Sequence, residues 1–148
     1  METQRNQPRP VVEERKMIPR DKKKVLVVES NDAMATAFQK QLEDAGFDAR
    51  CTWSGHEALA LVQSNEFDVL LTDSYLPDLH AADFLERLSR LPLQPWVVVM
   101  RGGTSSESLR RYRNLGASSV VNKRDIAQVV QAVSACCAKE PLVKASVH

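Results

Sequence analysis

Two carboxylates and an ammonium occupy comparable places along this chain. Glu29 closes the apolar run 25–28, Asp73 closes the run 68–72, and Lys123 follows the short run 119–122. If these three residues met, the paired carboxylates would suit a hard divalent cation such as Mg²⁺, which prefers oxygen ligands. The cation and Lys123 together would neutralise the oxygens of a transferring phosphoryl group, leaving one carboxylate as nucleophile. Three polar residues that merely occupy loops would have the same spacing, because charged loop residues are common. The elements that carry them therefore decide what they mean.

Residues 25–28 (VLVV) form an uninterrupted apolar run, as in parallel strands buried on both faces. Asp32 is placed to cap a following helix in which Met34, Phe38, Leu42 and Ala45 recur at helical spacing, with Gly46 as its stop. Residues 47–52 read as a more polar strand at a sheet edge. Ser54 and Glu57 form a capping box for a helix carrying Ala58, Leu59 and Val62 inward. Residues 68–72 are a central strand. Phe84, Leu85, Leu88 and Leu91 make a helical stripe that Pro92 ends. Residues 96–100 are a fourth buried strand. Gly102 and Gly103 then form a loop, and Thr104 with Glu107 caps a helix bearing Leu109, Tyr112 and Leu115, closed by Gly116. Residues 119–122 are a short fifth strand, and Ile126, Val129, Val130, Val133 and Cys137 share one face of a last helix.

Five strands alternating with five helices call for an α/β fold, a parallel sheet covered on both faces. Right-handed crossovers make it doubly wound. Ligands of such sheets sit outside the carboxyl ends of the strands, where strand order reverses. That rule selects residues 29–32, 73–78, 100–103 and 123–124, and so gathers Glu29, Asp73 and Lys123.

The 148 residues fit one domain with a core of normal proportion, at 43% hydrophobic and 26% charged. The net charge of +1 makes no strong demand for nucleic acid or an anionic membrane. That average conceals a basic arm, residues 1–24, with eight Lys/Arg against four acids. The arm contains Pro8, Pro10 and Pro19 and shows no period, so it reads as flexible, with weak support for a short helix over 11–17. Residues 25–139 form the domain and 140–148 a tail. No apolar run reaches the ~20 residues of a membrane span, and no secretory signal precedes the domain. Cys51, Cys136 and Cys137 read as reduced thiols of a cytoplasmic protein. Cys51, His56, His80 and His148 have no metal-ligand spacing.

Over residues 22–139 the chain resembles the receiver domain of bacterial two-component response regulators. The residues that carry the resemblance are 25–29 (VLVVE), 67–78 (FDVLLTDSYLPD), 96–100 (WVVVM) and 115–123 (LGASSVVNK). The resemblance implies a CheY-like, flavodoxin-like sheet of strand order 2-1-3-4-5 and a role in phosphorelay signal transduction rather than enzymatic turnover. Asp73 would be the phosphoacceptor. Glu29, Asp73 and the backbone carbonyl of Tyr75 would hold Mg²⁺, and Lys123 would bind the phosphoryl group. A haloacid-dehalogenase reading of Asp73 fails, because Tyr75 stands where that family has its second acid.

Several positions depart from the receiver pattern. Ser30 replaces the second of two adjacent acids, so Mg²⁺ should bind weakly. Met100 stands where a hydroxyl residue is expected at the end of the fourth strand, with one extra residue between it and Gly116, and Met cannot donate that hydrogen bond. Val120 replaces an aromatic switch residue, Arg124 a proline and Ala81 a glycine. The chain thus reads as an atypical receiver with impaired phosphorylation at Asp73, lacking its own effector domain and acting through protein contacts. The alternatives are a phosphorylation-independent pseudo-receiver that binds partners, or an adaptor whose basic arm contacts nucleic acid. Expected partners are a histidine kinase or phosphotransfer protein, or a downstream protein. By family analogy the helix-four to helix-five face could form a homodimer. Arg110, Arg111 and Arg113 add charge to helix four, where a solvated surface is the simpler reading.

Overall fold

Apolar residues that run without interruption along a strand must be covered on both sides, and the structure, a computed structural model describing residues 22–102 and 106–139, covers them. In chain order the elements are β1 (Lys24–Val28), α1 (Asp32–Asp44), β2 (Asp48–Thr52), α2 (Gly55–Ser64), β3 (Val69–Asp73), α3 (Ala81–Leu88), β4 (Trp96–Arg101), α4 (Ser106–Asn114), β5 (Ser119–Asn122) and α5 (Ile126–Cys137). The strands are all parallel and pair in the order β2-β1-β3-β4-β5. The expected doubly wound α/β fold is therefore present. The expected N-terminal arm up to residue 21, the helix over 11–17, Gly103, the Thr104 cap and the 140–148 tail lie outside the described residues.

Strand alternation sorts the core into two layers. Leu26, Val28, Leu70, Val97, Val99 and Val120 face α2, α3 and α4, packing with Leu59, Phe84 and Tyr112. Val25, Val27, Val69, Leu71, Val98, Met100 and Val121 face α1 and α5, packing with Phe38, Leu42, Val129 and Val133. Phe38 and Phe84 are fully buried, one in each layer. Burial of a side chain of this size stabilises by about 1.5–3 kcal/mol.

Several local expectations are corrected. The cap of α1 is Asn31, not Asp32: its side chain accepts from the Met34 N–H at 2.9 Å, and Asp32 is the first helical residue. Either residue type can accept this bond, and the turn after Glu29 brings Asn31 into the cap geometry. Ser54 caps α2 by accepting from the Glu57 N–H at 3.0 Å, but the Glu57 carboxylate turns to the Thr52 hydroxyl instead of completing the box. Helix α3 ends at Leu88, a turn before Pro92, and Leu91 reaches the core from the turn that follows. In α5 the fully covered thiol is Cys136, with Cys137 half-buried. All three cysteines are free, and burial pushes each thiol pKa up, that of Cys137 to about 11. No helix among the described residues is long and apolar enough to cross a membrane.

Candidate functional site

Parallel strands of this order bring the carboxyl ends of β1, β3, β4 and β5 to one edge, and the backbone ladder continues past them. The Glu29 N–H donates to the Thr52 carbonyl at 3.0 Å, Ser74 N–H to Met100 at 2.9 Å and Lys123 N–H to Arg101 at 2.8 Å. Residues just beyond the strands are thereby held almost as firmly as those within them. Lys123, 94 residues from Glu29 and 50 from Asp73, reaches both. Its Nζ donates to Glu29 Oε1 at 2.9 Å and to Asp73 Oδ2 at 2.8 Å.

The three side chains are well covered, with 1% of Glu29, 10% of Asp73 and 19% of Lys123 exposed. Burial acts against the charge on Lys123, but hydrogen bonds and attraction from Asp73 and Glu29 outweigh it and hold the ammonium above the ordinary lysine range. The second oxygen of Glu29 accepts from the Asn31 N–H at 3.0 Å, whereas the second oxygen of Asp73 has only a long contact, 3.4 Å, from the Tyr75 N–H. Asp73 is thus the carboxylate with an oxygen left available for chemistry. It opens onto a cleft of about 550 Å³, also lined by Ser30, Ser74, Tyr75, His80, Arg101 and Tyr112.

The loop between β3 and α3 forms one wall, and Asp78 anchors it. The Asp78 carboxylate accepts from the Gly55 N–H at 2.9 Å, the His56 N–H at 3.0 Å and His56 Nδ1 at 2.7 Å. Slight burial works the other way, yet these donors and the Ser54 hydroxyl hold the Asp78 carboxyl well below the usual carboxylate range. Gly55 permits the approach, because a Cβ there would lie 3.0 Å from the Leu79 Cβ.

The anticipated site residues divide into three groups. Glu29, Asp73 and Lys123 meet. Ser30 lies beside them on the cleft, exposed and neutral, and the Tyr75 side chain points to solvent at 79% exposure. Met100, Val120 and Arg124 are elsewhere. Met100 is fully buried between the sheet and α1/α5, Val120 packs in the opposite layer with Tyr112, and Arg124 is exposed, its N–H bound to Asn122 Oδ1 at 3.0 Å.

The β4 side chain that reaches the cleft is Arg101, which the sequence did not single out as a site residue. Its Nη1 donates to the Ser108 hydroxyl, and its guanidinium carbon lies 6.0 Å from the centre of the buried Tyr112 ring. His80 was also missed: its Nδ1 accepts from the Ala82 N–H at 3.1 Å, capping α3 at the rim of the cleft. Among the described residues no group of three or more His, Cys, Asp or Glu side chains comes together to hold a metal ion. An apolar groove of about 290 Å³ near Val62, Phe67 and Leu91 lies at the opposite end of the strands, away from this chemistry.

Residues 25–134 match the family model of the response regulator receiver domain. A response regulator receiver protein of Anaeromyxobacter is 29% identical over 101 residues, which are 68% of this chain and 42% of that protein. The cell cycle response regulator CtrA of Brucella ovis is 25% identical over 100 residues, covering 68% of this chain and 43% of the relative. The chain spans somewhat less than half the length of these curated relatives. Among solved structures, a CheY-like receiver domain from Methylobacillus flagellatus is 25% identical, covering 78% of this chain and 98% of its own, with a TM-score of 0.67. An orphan response regulator of Helicobacter pylori is 25% identical, covering 80% and 98%, with a TM-score of 0.69.

Proposed function

Because this chain belongs to the response regulator receiver domain family, a module of two-component signalling, we propose that Asp73 accepts a phosphoryl group from a phosphohistidine of a histidine kinase or phosphotransfer protein, inefficiently and with weakly held Mg²⁺. The observation that carries this reading is the Lys123 bridge: one cation, 2.8 Å from the acceptor and 2.9 Å from a second carboxylate, at the carboxyl end of a doubly wound sheet. In the transfer, an Asp73 carboxylate oxygen attacks phosphorus and the phosphorus–nitrogen bond breaks. The bonding pair leaves with the imidazole nitrogen. Lys123 stays within reach of the new phosphoryl oxygens and offsets part of their charge.

The donor set fits a divalent ion only in part. Glu29, Asp73 and the Tyr75 carbonyl would hold it, but Lys123 already engages both carboxylates, and Ser30 adds no charge. When bound, Mg²⁺ supplies further neutralisation of phosphoryl oxygens.

Incubation with acetyl phosphate and Mg²⁺, followed by intact mass measurement, tests the proposal. A single phosphoryl adduct should form on the wild type, more slowly than on an ordinary receiver, and not on Asp73→Asn. Absence of an adduct under conditions that label an ordinary receiver would sink it. The second reading, a phosphorylation-independent binding module, would then stand; it is favoured by Lys123 already engaging both carboxylates. In either reading the exposed Arg110, Arg111 and Arg113 make α4 a natural contact surface for a downstream protein.

A further inference from the structure

The charges in the cleft do not balance once Asp73 carries a phosphoryl group. At rest, Glu29 and Asp73 oppose one ammonium, that of Lys123. Phosphorylation replaces the single charge of Asp73 with roughly −1.5 to −2 and three strong acceptor oxygens. Ser30 leaves little prospect of a tightly bound ion to offset them. A second cation is nevertheless present in the same cleft, that of Arg101.

Its position follows from the sheet. Asp73 pairs with Met100, so Arg101 lies on the adjacent strand one residue further on. A strand spacing of about 4.8 Å and a rise of about 3.3 Å per residue put the two Cα atoms roughly 6 Å apart. That distance is well within the span of an arginine side chain. The guanidinium, a planar fork of donors matched to phosphate oxygens, now rests on Tyr112 and the Ser108 hydroxyl, both on α4. Tyr112 is itself buried, packed in the layer that contains Val120.

We propose that Arg101 is a second cationic ligand of the phosphoryl group on Asp73, and that reaching this group draws it off Tyr112 and Ser108, so that occupancy of the cleft is transmitted to α4. The proposal rests on phosphorylation of Asp73. The two contacts being exchanged are unequal. Arginine over an aromatic ring and a neutral hydroxyl is a weaker arrangement than arginine on a doubly charged phosphoryl group. Arg101 therefore acts both as ligand and as link, since the same side chain cannot satisfy both positions.

The test uses the full chain as wild type, Arg101→Ala and Arg101→Lys, each treated with acetyl phosphate. Intact mass gives the rate of adduct formation, and backbone amide resonances of residues 108–112 report on α4. Loss of a charge-assisted hydrogen bond to the phosphoryl group should slow labelling of Arg101→Ala by about ten- to a hundredfold. Arg101→Lys, which keeps the charge without the fork, should fall between the two. The amide shifts of 108–112 that accompany labelling of the wild type should vanish in Arg101→Ala. Labelling of Arg101→Ala at the wild-type rate, or α4 shifts that persist in it, overturns the proposal while leaving Asp73 as acceptor. An unlabelled wild type removes the acceptor reading and this inference with it, so the two failures are told apart by the wild type alone.

Discussion

Replacing Lys123 with Met keeps much of the side-chain volume and removes the one cation that Glu29 and Asp73 share. With 1% and 10% of their side chains exposed, the two carboxylates would then face each other without a counter-charge. Removing one partner from a buried ion pair costs about 3–5 kcal/mol. Water reaches this cleft from one side, and Lys123 is itself 19% exposed, so the cost falls at or below the bottom of that range, about 2–3 kcal/mol at pH 7. The loss should depend on pH in a defined sense. Two close carboxylates cannot both ionise cheaply, so a proton shared between them in the variant relieves the repulsion as pH falls toward 5, and the deficit shrinks. In the wild type the folded-state pKa of Lys123 is raised. Its stabilisation is therefore fully present below the ordinary lysine value of about 10.4 and is lost as pH rises through the higher folded value. Urea unfolding followed by far-UV circular dichroism at pH 7 and pH 5 measures both effects. Adding Asp73→Asn to the variant should recover more than half of the loss. A Lys123→Met protein within about 0.5 kcal/mol of wild type at pH 7, or a deficit of equal size at both pH values, would refute the electrostatic account.

Three further outcomes follow from the same geometry. If Mg²⁺ binds no tighter than about 10 mM, 10 mM of the ion stabilises by only ~0.4 kcal/mol, so the melting temperature should rise by less than about 2 °C; a rise of several degrees contradicts the weak site. Ser30→Asp restores a second acid beside Glu29, and a unit charge about 4 Å from another is worth roughly 4 kcal/mol before desolvation. Differential scanning calorimetry should find this variant less stable than wild type without metal and stabilised by several degrees in 10 mM Mg²⁺; equal responses of the two proteins would place Ser30 outside the ion's reach. Asn31→Ala removes the acceptor of the Met34 N–H and should cost about 1 kcal/mol in urea unfolding, whereas Asp32→Ala should cost less, the reverse order being the result that restores Asp32 as the cap.

Strand and helix identities were legible because each carries a period that only one local structure satisfies. The runs 25–28 and 69–71 are apolar at every position, which demands cover on both faces, and the two core layers supply it. Boundaries were less legible, since they depend on competition between near-equivalent groups. Asn31 and Asp32 can both cap a helix, and only the backbone path after Glu29 decides between them. Glu57 had the right spacing for a capping box, but the Thr52 hydroxyl at the end of β2 is a tertiary neighbour that no local pattern contains.

The site was legible where strand ends alone determine position, which is why Glu29, Asp73 and Lys123 meet as expected. It was not legible on β4. Residues 96–100 are apolar on both faces, so their pattern does not say which of the last two strand residues turns toward the cleft. Reading Met100 as that residue required an extra residue before Gly116. Counting from Arg101 removes the extra residue, and the side chains agree: Met100 is in the core, while Arg101 lines the cleft beside Lys123. Met100 is the residue opposite Asp73 in the ladder, and the next residue, Arg101, brings a cation to the cleft, over a tyrosine supplied by α4. Loss of the hydroxyl at Met100 and loss of the aromatic ring at Val120, read separately, describe a stripped site. Taken as Arg101 and Tyr112, they describe a pair that joins the Asp73 cleft to a helix surface rich in arginine.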